Sequence, residues 1–269
     1  MKTLILTAAS VVLVHSAFAE VKVALGDISD KRTTGKFFAG LEIELKLSGP
    51  ELAEAKGIRT TVKDATDDTG ASLKKAENRF GGGGFEELQK AFGGGFGGDK
   101  KADEFQVKLE FANPPRAARA IKALNGGIEL LIPAKDPAAV ITASVAKDAD
   151  KPLENAVLKA AGVEFTLRKP GKEEKKESDF GFGGGSLGES EIGYVIKDPK
   201  GKIASVEFCD AAGKKLESNG SSSSGFNNSK TVTISLRDKP PADAIAKIYV
   251  VTEKSVVTVP LALKDVALP

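Results

Sequence analysis

Asp64, Asp67 and Asp68 stand close together beside Thr66, Thr69 and Gly70. Carboxylate and hydroxyl oxygens at such spacing are the kind of ligand that Ca²⁺ takes. An EF-hand loop also needs a later bidentate Glu at a defined distance, which this segment does not supply, so the expected reading is a hairpin turn. A glycine-rich stretch from Gly81 to Gly98 invites a phosphate reading through its backbone N–H groups. It has no Gly-Lys-Ser/Thr and no strand–GxGxxG–helix unit, so nucleotide binding is not expected. Paired carboxylates are the remaining enzymatic apparatus, since glycoside hydrolysis runs on two Asp or Glu alone. Nothing in the spacing of the 37 acidic residues pairs two of them, and the rings available as sugar platforms are Tyr194 and Tyr249, with no Trp.

The other reactive side chains are scarcer still. His15 and Met1 are the single His and Met, and both fall in a segment expected to be removed. Lys2 gives a short positive start, Leu4 to Val14 an apolar stretch, and Ala17-Phe18-Ala19 the small-x-small form of a cleavage site. The apolar stretch is about half the roughly 20 residues that a membrane-crossing helix needs. Residues 1–19 therefore read as a signal peptide cleaved after Ala19, and the product as exported, periplasmic or extracellular. Without His or Met, a Ser-His-Asp triad, a Cys-His pair, a His-bearing zinc site and a His- or Met-ligated haem are excluded within that product. Cys209 has no second Cys to pair with and lies in the strand-like run Val206 to Asp210, where a small buried side chain is expected. The expected cofactors and metals are none, and the expected enzyme class is none.

The elements that must position any site are strands. Apolar and polar residues alternate at Leu41-Ile43-Leu45-Leu47, Phe105-Val107-Leu109-Phe111, Val163-Phe165-Leu167, Val232-Ile234-Leu236 and Val257-Val259-Leu261-Leu263. A period of two with one apolar face is the pattern of antiparallel sheets half-buried on a core. Turn signals fall between them at Asp67-Asp68-Thr69-Gly70, Asn125-Gly126-Gly127, Asp198-Pro199-Lys200-Gly201 and Asp210-Ala211-Ala212-Gly213. Many short strands with regular turns predict an all-β sandwich.

The chain also resembles itself. Sliding it by about 127 residues sets Phe105, Val107 and Leu109 on Val232, Ile234 and Leu236, and Pro114, Ala117 and Ile121 on Pro241, Ala244 and Ile248. A second, slightly shorter slide sets Gly40 to Lys46 on Gly162 to Arg168, and Asp67 and Gly70 resemble Asp210 and Gly213. The expectation is a duplication: residues 20–140 as one domain and 141–269 as its copy, with the boundary near Pro137 to Lys151 or, alternatively, at about Pro170. Each copy resembles an immunoglobulin-like or fibronectin-like sandwich in strand count and size, without the Cys-Trp-Cys hallmark.

Between the strands, Phe85, Leu88 and Phe92 are spaced for one face of a two-turn helix bounded by glycines, followed by Phe96. These four residues are the candidate partner contacts on an exposed aromatic loop. The competing expectation is that the loop's Phe residues cap the end of a core. The mixed-sign run Lys172 to Glu177 reads as a solvated loop. Asn219-Gly220-Ser221 and Asn227-Asn228-Ser229 match the N-glycosylation pattern and read here as turns. With 39 basic against 37 acidic residues, nucleic acid is not an expected partner. The function expected from all this is a non-catalytic binding or structural module that contacts a protein or cell-surface component through loops or edge strands. The alternatives are a carbohydrate-active or carbohydrate-binding protein using Asp and Glu in an inter-domain cleft, and a Ca²⁺-dependent adhesion module.

Overall fold

A computed structural model describes residues 21–33, 39–75, 84–88, 104–168, 170, 187–226 and 229–269. Among these the chain is all-β, apart from one six-residue helix, a helical residue at Leu88 and short 3₁₀ turns. Its strands are β1 (Lys22–Lys31), β2 (Gly40–Ser48), β3 (Gly57–Asp67), β4 (Glu86–Glu87), β5 (Glu104–Phe111), β6 (Ala120–Leu131) and β7 (Val140–Ser144). After the helix α1 (Ala156–Ala161) come β8 (Glu164–Arg168), β9 (Glu191–Lys197), β10 (Ile203–Cys209), β11 (Ser218–Phe226), β12 (Ser229–Leu236), β13 (Ile245–Val250) and β14 (Val256–Ala267). The five alternating runs all lie in or against strands. In β2, Leu41, Ile43, Leu45 and Leu47 are buried while Glu42 and Glu44 are not, as a period of two on a half-buried surface requires.

The strands form four antiparallel sheets, ordered β1-β2-β5, β14-β6-β3-β4, β10-β13-β7 and β11-β12-β9-β8. The first two sheets contribute to one apolar cluster. Leu41, Ile43, Leu45, Leu109 and Phe111 of one sheet join Ile121, Leu124, Ile128, Val259 and Leu261 of the other. The other two sheets contribute to a second cluster, with Phe165, Leu167 and Ile192 from one and Phe208, Ala246 and Ile248 from the other. Both arrangements are consistent with β-sandwich packing.

The division of the chain differs from the sequence expectation. A single boundary between residues 137 and 170 is expected, and the compact units are Met1–Ile132 with Val256–Pro269, and Pro133–Ser255. The reason is β14. It pairs along its length with β6, from Val256 opposite Leu131 to Ala267 opposite Ala120. Its inward Val259, Leu261 and Leu263 belong to the first core. Alternation identified β14 as a strand but carried no information about which strand it joins. The second unit is thus an insertion between two paired strands of the first.

Asn125-Gly126-Gly127 is a second difference. These residues do not turn; they lie inside β6, with Gly126 opposite Val62 of β3 and Leu261 of β14. β3 is bulged between Val62 and Asp64, and a Cβ on Gly126 would sit 2.0 Å from the Thr61 carbonyl oxygen. Glycine is required there for close backbone approach at a bulge rather than for a reversal.

The other three turns are reversals. In the first unit Gly70 N–H donates to Asp67 O, Asp67 N–H to Ala71 O and Leu73 N–H to Ala65 O. In the second, Gly213 N–H donates to Asp210 O, Asp210 N–H to Lys214 O and Leu216 N–H to Phe208 O. Both glycines have φ of +84°, where a Cβ is disfavoured. The chain then crosses over alike in each unit, through Ala112 N–H to Lys74 O and Arg237 N–H to Glu217 O. An alignment anchored on those two bonds would match Val107 with Val232, one strand period away from the sliding alignment. The slide of Gly40 onto Gly162 has a different outcome. Gly162 ends α1 at φ +73°, its N–H donating to Lys159 O, so it is a helix terminator. In pairing, β2 and β9 are alike in being flanked on both sides, β2 by β1 and β5, β9 by β8 and β12.

Candidate functional site

The acidic hairpin is the first candidate. Its register places Asp64 opposite Asn125 and Asp67 opposite Ile121, and each carboxylate finds a different partner. Asp64 accepts from the Asn125 amide at 2.6 Å. Asp68 accepts from Arg119 N–H at 3.0 Å. Asp67, 1% exposed, folds back on its own turn and accepts from the Thr69 hydroxyl at 2.6 Å, Thr69 N–H at 2.9 Å and Ala71 N–H at 3.0 Å. Its second oxygen is buried without a hydrogen-bond partner. Burial pushes the Asp67 carboxyl up, but the Thr69 hydroxyl and the backbone N–H groups of Ala71, Thr69 and Gly70 outweigh it and hold the group below its ordinary range. The three acids are divergent supports of the hairpin rather than a convergent cage. Among the described residues, no group of three or more His, Cys, Asp or Glu side chains could hold a metal ion.

Asp67→Ala removes three accepted hydrogen bonds, one of them from a side chain. It should cost on the order of 2–3 kcal/mol at neutral pH, read by urea unfolding. The folded carboxyl titrates below its unfolded value of 3.8, so its contribution is complete above that pH and fades as pH falls through the lower folded value. The gap between wild type and variant should therefore narrow below about pH 4. A gap that stays constant into acid would show that the charge has no part in the turn.

The aromatic loop is the second candidate. Its expected helix does not begin at Phe85; Leu88 is the first helical residue. Glu86 and Glu87 form β4, pairing with Ile58 and Gly57 at the edge of β3. Phe85 is 8% exposed, and Leu88 is 5% exposed and part of the first core. The Arg59 guanidinium lies 4.7 Å from the centre of the Phe85 ring and is also paired with Glu129, its cross-strand neighbour. Two of the four candidate contacts, Phe85 and Leu88, are thus buried in this structure. Phe92 and Phe96 lie outside the described residues. Sequence reasoning lacked the register that carries Phe85 under Arg59, because β4 is only two residues long and has no period of its own.

The tyrosines form a third group. Tyr194 stacks on Phe165 at 5.0 Å between ring centres and tilts toward Phe208 at 6.4 Å. Tyr249, 5% exposed, donates its hydroxyl to Glu207 at 2.6 Å. Burial pushes the Tyr249 phenol far above its usual value, and the Glu207 carboxylate adds to the shift, so it stays a neutral donor. Both rings are packed within the second unit and do not stand as a sugar platform. Cys209 is likewise buried, at 1% exposure, at the end of β10.

The remaining cluster lies at the end of the second unit. The Thr252 hydroxyl donates to Asp136 at 2.6 Å, Ser255 donates to Thr252 O, and Thr252 N–H donates to the Ser255 hydroxyl. Asp136 also accepts from Ala138 N–H, capping a 3₁₀ turn. The Thr252 hydroxyl and the Ala138 N–H hold the Asp136 carboxyl below its ordinary range. This network ties residues just inside the two chain crossings that bound the unit, and sequence spacing does not show it because Asp136 and Thr252 are far apart in the chain.

The class these observations define is an all-β protein of two compact units, each with two antiparallel sheets on one core. No family model matches the chain, and no curated protein or solved structure matches it either. No described helix is long and apolar enough to cross a membrane.

Proposed function

We propose that the chain is an exported, non-catalytic module that contacts another macromolecule through its loops or sheet edges, working as a duplicated pair of immunoglobulin-like or fibronectin-like sandwiches. The observation that carries this reading is the engagement of the described chemical groups in the fold itself. Asp64, Asp67, Asp68 and Asp136 support turns and caps, Glu207 accepts from Tyr249, and both tyrosine rings pack internally. Export is supported by the signal-peptide pattern of residues 1–19. Duplication is supported by the matched Asp-x-x-Gly hairpins and crossovers of the two units. An experimental superposition in which those hairpins fell on non-equivalent strand pairs would sink it.

With Phe85 and Leu88 buried, the loop contact falls to Phe92 and Phe96. The double variant Phe92→Ser/Phe96→Ser should keep the wild-type melting temperature and lose a partner that the wild-type chain captures from the surface fraction of native cells. A drop in melting temperature would make these residues core caps as well. Capture by both baits would move the contact to a sheet edge.

A further inference from the structure

We propose that β11 is a self-association edge, pairing antiparallel with β11 of a second copy of this chain. β11 is nine residues, Ser218 to Phe226, with no charged residue and no proline. Residues 218–225 are exposed, on both faces of the strand. It pairs with β12 on one side and, among the described residues, with no strand on the other. An open edge presents a row of main-chain donors and acceptors, and proteins ordinarily blunt such edges with charge, proline, bulges, short length or a cover.

The other described edges are blunted in these ways. β1 carries Lys22, Asp27, Asp30 and Lys31 and is bulged between Leu25 and Ile28. β5 carries Glu104, Lys108 and Glu110. β14 has Pro260, Lys264 and Asp265, the last at φ +50°. β10 carries Glu207 and is bulged between Ile203 and Ser205. β8 is bridged by Ala149 and Pro152. β7 and β4 are five and two residues long. β11 is itself bulged between Ser218 and Gly220, but from Gly220 to Phe226 its pairing is regular, and that stretch is neutral and, among the described residues, uncovered. It is also a strand mainly of Ser and Gly, and over residues 218–225 no burial accounts for its order. A second ladder supplies what burial does not.

The composition of the edge selects the occupant. A charged peptide would meet no complementary charge on Ser218 to Phe226, and an apolar peptide would lie along the exposed serines Ser221 to Ser224. A second β11 meets both conditions. Two identical neutral edges related by a two-fold axis have no like charges to oppose each other. Each serine hydroxyl both donates and accepts, so a serine ladder is complementary to itself. Pairing of this kind joins two β11-β12-β9-β8 sheets into one continuous sheet. The proposal does not rest on the foreign-partner reading above.

The test is sedimentation equilibrium of the wild-type chain and of Ser222→Lys/Ser224→Lys over a concentration series, with melting followed by circular dichroism. The expected result is a wild-type dimer and a dissociation constant raised about tenfold or more in the variant, with the melting temperature unchanged. A wild-type monomer at every concentration overturns the proposal, as does a dimer indifferent to the lysines. Should the lysines themselves lower the melting temperature, single variants Ser221→Cys to Ser224→Cys decide. The native Cys209 is buried, so an inter-chain disulfide at β11 reports self-pairing, and none at any of the four positions overturns it.

Discussion

Ile43→Asp should leave the first unit unfolded at neutral pH. Ile43 is 0% exposed in the middle of β2, flanked on the same face by Leu41 and Leu45, and opposite Leu109 of β5. Losing its buried side chain alone costs about 2–5 kcal/mol, and a carboxylate at that place has no partner to offset its desolvation. Together these rival the about 5–15 kcal/mol that holds a whole domain together. Ile43→Val, which removes one methylene, should cost only about 1 kcal/mol and serves as the control. The second unit has its own core, built from Phe165, Ile192, Phe208 and Ile248, so it should survive. Limited proteolysis of the Asp variant should therefore leave a resistant fragment close to residues 133–255 and digest the flanking sequence. A variant as resistant as wild type along its whole length would refute the assignment of the Leu41-Ile43-Leu45 face to the core.

Gly126→Val should also prevent the first unit from forming its β14-β6-β3 sheet. The atoms that a Cβ would meet are main-chain: Thr61 O at 2.0 Å, with Thr61 C and Val62 Cα at 3.1 Å. A flexible side chain could rotate away, but a neighbouring strand cannot move without breaking its ladder. Even Ala at this position should cost about 3 kcal/mol or more, at the upper end of the range for overpacking. Gly193→Ala should act in the same direction in the second unit, where the Cβ would lie 2.5 Å from Val232 O. Gly127→Ala should cost less, because its nearest contact is the Thr258 methyl at 3.3 Å. Gly220→Ala in β11 meets nothing within 4 Å and should be close to neutral. Urea unfolding of the four alanine variants checks the order, and a Gly126→Ala variant as stable as Gly220→Ala would show that β3 and β6 do not approach as described.

These two cases mark the limits of legibility. Ile43 was readable because a period of two is written in consecutive residues, and burial of one face follows from it without knowledge of any partner. Gly126 was not readable. Asn-Gly-Gly is a turn signal in most settings, and only the bulge in β3 opposite shows that glycine here admits a neighbouring backbone. The candidate contacts divide similarly. The spacing of Phe85 and Leu88 marked an apolar face, but whether it meets a partner or the chain's own core depends on Arg59 and β3, more than twenty residues away.

By itself the sequence determined the strand-forming character of the chain, the Asp-x-x-Gly hairpins and the scarcity of reactive side chains. Each of these depends on residue type and on spacings of a few residues, which local sterics and local hydrogen bonding read directly. Tertiary structure alone decided that β14 closes the first unit, that β2 and β9 are each flanked on both sides, and that β11 is an edge strand among the described residues. Those are facts about which strand lies beside which. A ladder joins residues more than a hundred positions apart as readily as adjacent ones, and a slip of one strand period leaves the apolar pattern unchanged.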